Sequence, residues 1–312
     1  KIFYHINKNK KELKIMKIYD CFMYFDEDIV LDVRLNYLNN YVDKFVIIEA
    51  EYNHKGEKRK PQFDIKNFHT FKDKIIYLLV DQEAPFIEEI NDLDSEDKKA
   101  GKLIMNALKR ENFQRNHIAN GLTDAVDEDW IIISDLDEIP NLKDNNLKNI
   151  KSPIIFFKQL MMYYKFNLIL ENYPWIGSKA CKKKNLKSPQ WLRNIKDRAY
   201  SWWRLDTFFS ETKYIEIKII ENGGWHFSYL KSPENIEKKL KSYLHHTEYE
   251  LSPVGVKNIK EMIVNKKTIY NLKVDSRSKK FDDGNNLEIF DLNLLPSYIL
   301  ENKNKFKDWI EE

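Results

Sequence analysis

The sequence predicts an α/β protein with a mostly parallel central sheet flanked by helices, and three observations predict it. Apolar, β-branched runs recur with no solvated face, as strands buried on both sides require. They alternate with helix-spaced segments, giving β-α-β-α-β-α-β through residue 158 with connections that suit a parallel sheet. Several of those runs also end on carboxylates, which sets one edge of the sheet apart chemically.

Residues 1–14 are polar and read as a loosely held extension. Lys17 to Phe25 is a first strand, broken by Asp26, Glu27 and Asp28, acids that can cap a helix. Ile29, Val30, Val33, Tyr37 and Tyr41 then recur at helical spacing to about Val42, with Arg34 and the asparagines on the other side. Lys44 to Ala50 is a second strand closing on Glu49 and Glu51, followed by a polar loop from Tyr52 to Pro61. Residues 64–73 read as a helix, 75–80 as a third strand and 82–97 as an acidic loop. A long helix spans about Lys98 to Val126, and Ile104, Leu108, Arg115, Ala119 and Leu122 fall on one stripe of it. An unpaired cation on an apolar stripe is costly, so Arg115 needs Glu111 one turn back, a carboxylate at the strand ends, or an anionic ligand.

The run Asp129 to Pro140 organises the rest. Its apolar strand ends on Asp135, Asp137 and Glu138, and open α/β sheets bind ligands beyond the carboxyl ends of their strands. Two residues apart in extended chain, Asp135 and Asp137 point to one face and repel unless a cation lies between them. A hard divalent ion with open positions for phosphate oxygens suits such a pair. The plainer alternative is an acidic turn that caps a helix. A short helix near 144–150 and a strand over 154–157 complete a Rossmann-like alternation, a nucleotide-binding architecture.

Beyond Lys158 the pattern turns aromatic and basic. Trp175, Trp191, Trp202 and Trp203 accompany a basic run from Lys179 to Lys187 and then Arg193 and Arg204. Such rings stack on sugars and such cations suit diphosphate, although any single tryptophan is first a core residue. Strands read at 215–220 and 224–229, the latter carrying His226 after a Gly-Gly turn that lets backbone approach a ligand closely. Helices follow near 234–243 and 256–265, with His245, His246 and Glu248 between them, and the tail from Leu294 reads as helical.

Bulk properties agree with a globular chain. Of 312 residues, 42% are hydrophobic, and a net charge of +3 from interleaved charges gives no reason to expect nucleic acid. Two cysteines, Cys21 and Cys181, are too few for a disulfide framework, and no stretch approaches the ~20 apolar residues of a membrane span. The N-terminus lacks the apolar centre of a signal peptide, so the expectation is a soluble, cytoplasmic protein, with any anchor upstream of Lys1 outside the sequence.

These residues together resemble glycosyltransferase family 17, the family of the bisecting β-1,4-N-acetylglucosaminyltransferase of N-glycans. The resemblance runs from about Tyr19 to Glu250. It rests on Tyr19-Asp20-Cys21-Phe22, Val42 to Ile47, Gly56-Glu57 with Pro61, Arg115-Asn116, Ser134 to Pro140, and Gly224-Trp225-His226-Phe227-Ser228. It implies a GT-A fold over 16–270, with a nucleotide-binding half to about 158 and an acceptor half to 270, then a C-terminal helical tail over 271–312. It further implies a UDP-sugar donor, a glycan acceptor, and Mn2+ or Mg2+ on Asp135 and Asp137, with His226 completing the metal shell or touching the diphosphate. Asp135 would also touch the ribose, Glu49 the nucleoside, and Arg115, Asn116 and Arg193 the donor. Inversion requires a general base, for which Glu138, Asp206 and Glu248 are candidates. Two other classes stay open from the residues alone: a metal-dependent phosphohydrolase or nucleotidyltransferase, and a non-catalytic glycan-binding protein of the same fold.

Overall fold

The computed structural model describes residues 16–201, 203–207, 209–242, 249, 253–272 and 284–312. The extension over 1–14 lies outside the described residues. β1 (Ile18–Met23), α1 (Asp28–Leu38), β2 (Lys44–Ala50) and β3 (Ile75–Val80) lead through α2 (Glu96–Asn116) to β4 (Trp130–Asp135). The four strands lie side by side and parallel in the order β3-β2-β1-β4. Ile131, Ile132 and Ile133 are all fully buried. Ile132 belongs to the core that holds Leu31, Leu35 and Leu38 of α1, and its two neighbours to the core that holds Ile118, Leu122 and Leu192. A strand covered on both faces has no polar side to show, hence its unbroken apolar run.

The second half extends the sheet with mixed pairing. In chain order come β5 (Glu138–Pro140), β6 (Ile154–Tyr163), β7 (Leu168–Ile169), β8 (Trp175–Lys182), α3 (Pro189–Asn194), β9 (Ile217–Ile220) and β10 (Gly224–Ser228). After them follow α4 (Pro233–Ser242), α5 (Gly255–Val264), β11 (Glu288–Ile289) and α6 (Ser297–Glu301). β8 lies antiparallel between β4 and β6, and β6 pairs parallel with β9 along its first half and with β10 along its second. β10 also runs antiparallel to β5, setting His226 opposite Glu138. The close approach at the start of β10 requires glycine: Gly224 has φ +123°, and a Cβ there would lie 2.1 Å from the Ile139 carbonyl oxygen.

Several segments differ from their reading in sequence. The basic run starts inside β8, where Lys179 lays its stem along the core, its ammonium 4.7 Å from the Phe156 ring centroid and donating to the carbonyls of Arg193 and Ile195. The long helix ends at Asn116 and tightens into a 3-10 segment, His117–Leu122. The segments over 64–73 and 144–150 form only 3-10 turns, Ile65–Phe71 and Leu147–Asn149, too short to offset the cost of α-helix nucleation. The tail is α6 plus single turns, anchored by buried Leu295, Ile299 and Phe306 in the core beside α1. No described helix is long and apolar enough to cross a membrane. Cys21 and Cys181 are both buried free thiols, and burial pushes the Cys181 thiol up to about 12.

Arg34 is the largest departure, because it belongs to the interior and not to the solvated side of α1. Its guanidinium is fully buried and grips Asp20 of β1 at 2.6 and 2.8 Å, while Nη1 donates to the carbonyls of Asp135, Leu136 and Glu138 at 3.0, 3.0 and 2.7 Å. The buried Asp20 in an otherwise apolar strand is the sequence signal for such a partner. Arg34→Met leaves Asp20 an unpaired buried charge and is expected to cost about 3–5 kcal/mol of unfolding free energy. Urea denaturation checks this, and a variant as stable as the parent would remove Arg34 from its structural role.

Candidate active site

The strand order reverses between β1 and β4: β2 and β3 follow β1 to one side, and the chain then returns to its other side. Ligands of open α/β sheets bind at that crevice, beyond the carboxyl ends of the strands. Met23, ending β1, is paired with Asp135, ending β4. A cavity of about 630 Å3 opens there, with Glu27, Arg115, Asp135, Asp137, His226 and Lys239 among its wall residues.

The two aspartates of the acidic loop have different surroundings. Asp135 is held by arginines on both carboxylate oxygens, Arg115 at 3.0 Å and Arg193 at 3.1 Å. Burial alone would raise its pKa, but Arg193 and Arg115 outweigh it and hold the carboxyl below its ordinary range. Arg115, buried on its stripe, also bonds Glu111 at 2.8 Å and Gln190 at 2.5 Å. Both of the protein partners open to it in sequence, the turn-back glutamate and a strand-end carboxylate, are therefore in use.

Asp137 faces the cavity in different company. His226 Nε2 lies 3.5 Å and Lys239 Nζ 3.7 Å from its oxygens. Burial again acts upward on Asp137, and His226 and Lys239 bring it well below the usual carboxylate range. For His226 burial disfavours the charge, yet Asp137 beside it raises its pKa above the ordinary imidazole value. The register of β10 places His226 on this wall, since Trp225 and Phe227 on either side turn into the core. The Trp175 ring packs against the imidazole at a centroid distance of 4.9 Å. The imidazole Nδ1 is buried with no hydrogen-bond partner among the described residues.

Other residues expected at the site stand behind it. Glu138 is fully buried: Oε1 accepts from Trp175 Nε1 at 2.8 Å and from Arg193 at 3.1 Å, and Oε2 accepts from Arg193 at 2.7 Å and from the Asp135 backbone N–H at 2.8 Å. With its oxygens so occupied, it shapes the turn and does not border the cavity. Arg193 is the matching cation, also donating to the Gly177 carbonyl at 2.5 Å, and it too sits behind the wall. Glu49 is fully buried and binds Arg59, Tyr77 Oη and the backbone N–H groups of Gln62 and Phe63. It thereby fixes the loop that brings Tyr52, Asn53 and His54 to the cavity, without reaching it itself. Asn116 accepts from the Gln190 backbone N–H and ties α2 to α3. Asp206 is at the surface, paired with Arg204 at 2.8 Å and Lys213 at 2.7 Å, and does not line the cavity. Glu248, His245, His246 and Trp202 lie outside the described residues.

Two wall residues escape a reading of the sequence. Glu27 precedes α1 but makes no side-chain capping bond to it; its carboxylate lies 3.4 Å from Lys231 and 3.3 Å from Lys239. Lys239, on α4, looks from sequence like one more solvated helix charge. Among the tryptophans, Trp130, Trp191 and Trp225 are core and Trp175 lines the cavity.

The donor set permits only part of a metal site. No group of three or more His, Cys, Asp or Glu among the described residues is arranged to hold an ion. Asp135 has a guanidinium on each oxygen, so the Asp135-x-Asp137 pair does not close on a cation as its spacing suggests. Asp137 and His226 remain, an oxygen and a nitrogen donor side by side, and they fit an ion that takes its other ligands from phosphate oxygens and water.

An α/β sheet with a cavity at its switch point, walled by carboxylates, arginines and aromatics, has the build of a sugar-transferring enzyme. The model of glycosyltransferase family 17 matches residues 4–310, nearly the whole chain. The chain belongs to that family and is a glycosyltransferase with a GT-A-type architecture. A search of curated proteins found no match.

Glu138→Gln separates support from chemistry. It removes one of the two carboxylates facing the partly buried Arg193, which keeps Asp135, and is expected to cost about 1–3 kcal/mol of stability in denaturant unfolding. A catalytic base would lose turnover with stability intact, and that outcome would return Glu138 to the reaction.

Proposed function

We propose that the enzyme transfers N-acetylglucosamine from UDP-N-acetylglucosamine to a glycan acceptor, with inversion at the anomeric carbon and with Mn2+ or Mg2+ as cofactor. The observation that carries this reading is the division of labour in the acidic loop: Asp135 is fixed by Arg115 and Arg193, while Asp137 and His226 face the cavity. A divalent ion bound by Asp137 and His226 would offset the charge that grows on the donor's diphosphate as the glycosidic bond breaks.

Around it the chain's own groups bind and orient. Asp135, locked in place, is suited to take a hydroxyl of the ribose. Arg115 lies on the same wall with one edge on Asp135 and adds positive potential for an anionic donor. Trp175 and Tyr229 give the cavity aromatic surfaces on which the apolar faces of sugar rings can stack. The acceptor hydroxyl must lose its proton to a base, and of the wall carboxylates outside the acidic loop Glu111 is a candidate, while Glu27 is taken up by Lys231 and Lys239.

UDP with Mn2+ is expected to raise the melting temperature, and Asp137→Asn to lower kcat by at least about a hundredfold with the fold retained. A screen of nucleotide sugars with and without Mn2+, reading released nucleotide and transferred sugar, tests the whole reading. Release of inorganic phosphate without sugar transfer would point to a phosphohydrolase, and sugar binding indifferent to chelator and to Asp137→Asn would point to a lectin-like role.

A further inference from the structure

The cavity wall carries one charged assembly that the expected donor site does not use. Asp26 and Glu27, in the loop from β1 to α1, face Lys231 and Lys239, at the start and in the middle of the segment that follows β10. Lys231 sits directly on Asp26 and lies 3.4 Å from Glu27, and it does not border the cavity. Lys239 does border it, 3.3 Å from Glu27, 3.7 Å from the Asp137 carboxylate and 5.8 Å from the Tyr229 ring centroid. Lysine at this place joins the two flanks of the crevice, the β1 loop on one side and the acidic loop after β4 on the other.

We propose that Lys239 is the fixed cation that contacts the donor's diphosphate, beside Asp137. This rests on the nucleotide-sugar reading of the cavity. A diphosphate beside Asp137 would lie within an ammonium's reach of Nζ, which is 3.7 Å from that carboxylate. Lysine suits this role because a compact charge with three donors on a flexible stem can follow oxygens that move as the bond breaks. Glu27 and Asp137 face the ammonium from the two flanks of the crevice and hold it at the cavity wall. In the transfer, the bond between the anomeric carbon and the diphosphate oxygen breaks with its electron pair on that oxygen. The acceptor oxygen forms the new bond, and its proton goes to a carboxylate of the wall. The ammonium meets the negative charge where it develops, which is the condition for electrostatic stabilisation of a leaving group. Lys239 is thus a catalytic residue, and Glu27 the residue that positions it.

The experiment compares binding of UDP and uridine by calorimetry in the presence of Mn2+, for the parent, Lys239→Met and Lys239→Arg. The parent is expected to bind UDP more tightly than uridine. Lys239→Met should weaken UDP roughly tenfold to a hundredfold, the range for losing a charge-assisted hydrogen bond, and leave uridine within about twofold. Lys239→Arg should recover part of the difference. Equal weakening of both ligands, or no change in UDP, overturns the assignment. A parent that binds neither overturns the nucleotide-sugar reading and this inference with it, a failure seen without any variant. Amine acylation of the parent with peptide mapping asks the same question in the unaltered fold. UDP should protect Lys239 and uridine should not, and equal labelling in the two would refute the contact.

Discussion

The buried fork of Arg34 is the interaction on which the site depends. One guanidinium, with no exposure to water, ties β1 through Asp20, α1 through its own backbone, and the loop after β4 through three carbonyl oxygens. Those carbonyls belong to the acidic loop itself, whose side chains face the cavity or support its wall. Turning the loop's carbonyls inward onto a cation sends the Asp137 side chain outward to the cavity. A second arginine, the partly buried Arg193, does the complementary work on the side chains, holding Asp135 and Glu138 together. Two cations therefore fix one short acidic loop from opposite sides, one through its backbone and one through its carboxylates.

That arrangement gives chemically identical groups different roles. Asp135 and Asp137 are separated by one residue, yet the first has its charge taken up by arginines and the second leaves its charge to a histidine, a lysine and whatever the cavity admits. Glu138, the third acid, spends its charge entirely on structure. Environment, and not residue type, decides which carboxylate is available.

Much of the parallel half is legible in sequence because a strand covered on both faces must be apolar throughout; β2 and β3 match their expected limits. β8 is less legible, since its buried Lys179 keeps a long apolar stem and finds backbone acceptors, so a core position carries a charged letter. β5 is only three residues long and is defined by its partner, which no local pattern records. At the site, Asp135, Asp137, Arg115 and His226 are readable because each breaks an apolar or glycine-marked pattern, and they do meet at one cavity. Glu49, Glu138 and Arg193 have the right residue types but lie one layer behind. Glu27 and Lys239 are hidden by ordinary settings, a helix start and a helix with many lysines, and only the tertiary approach of those two segments gives them meaning.

The double pairing of β10 has a bearing on how this enzyme can change. His226 is locked in register against Glu138 on one side and Met161 on the other, and Gly224 seals the entry to that strand against Ile139. A slip of a single residue would send the imidazole into the core and a tryptophan or phenylalanine into the cavity. The excursion over 164–223 leaves from β6 and returns to β10, so its two ends are pinned whatever its loops contain. Insertions, deletions and new aromatic surfaces can accumulate in those loops while the histidine stays in phase. The fold separates a fixed register at the cavity wall from a segment whose loops are able to drift.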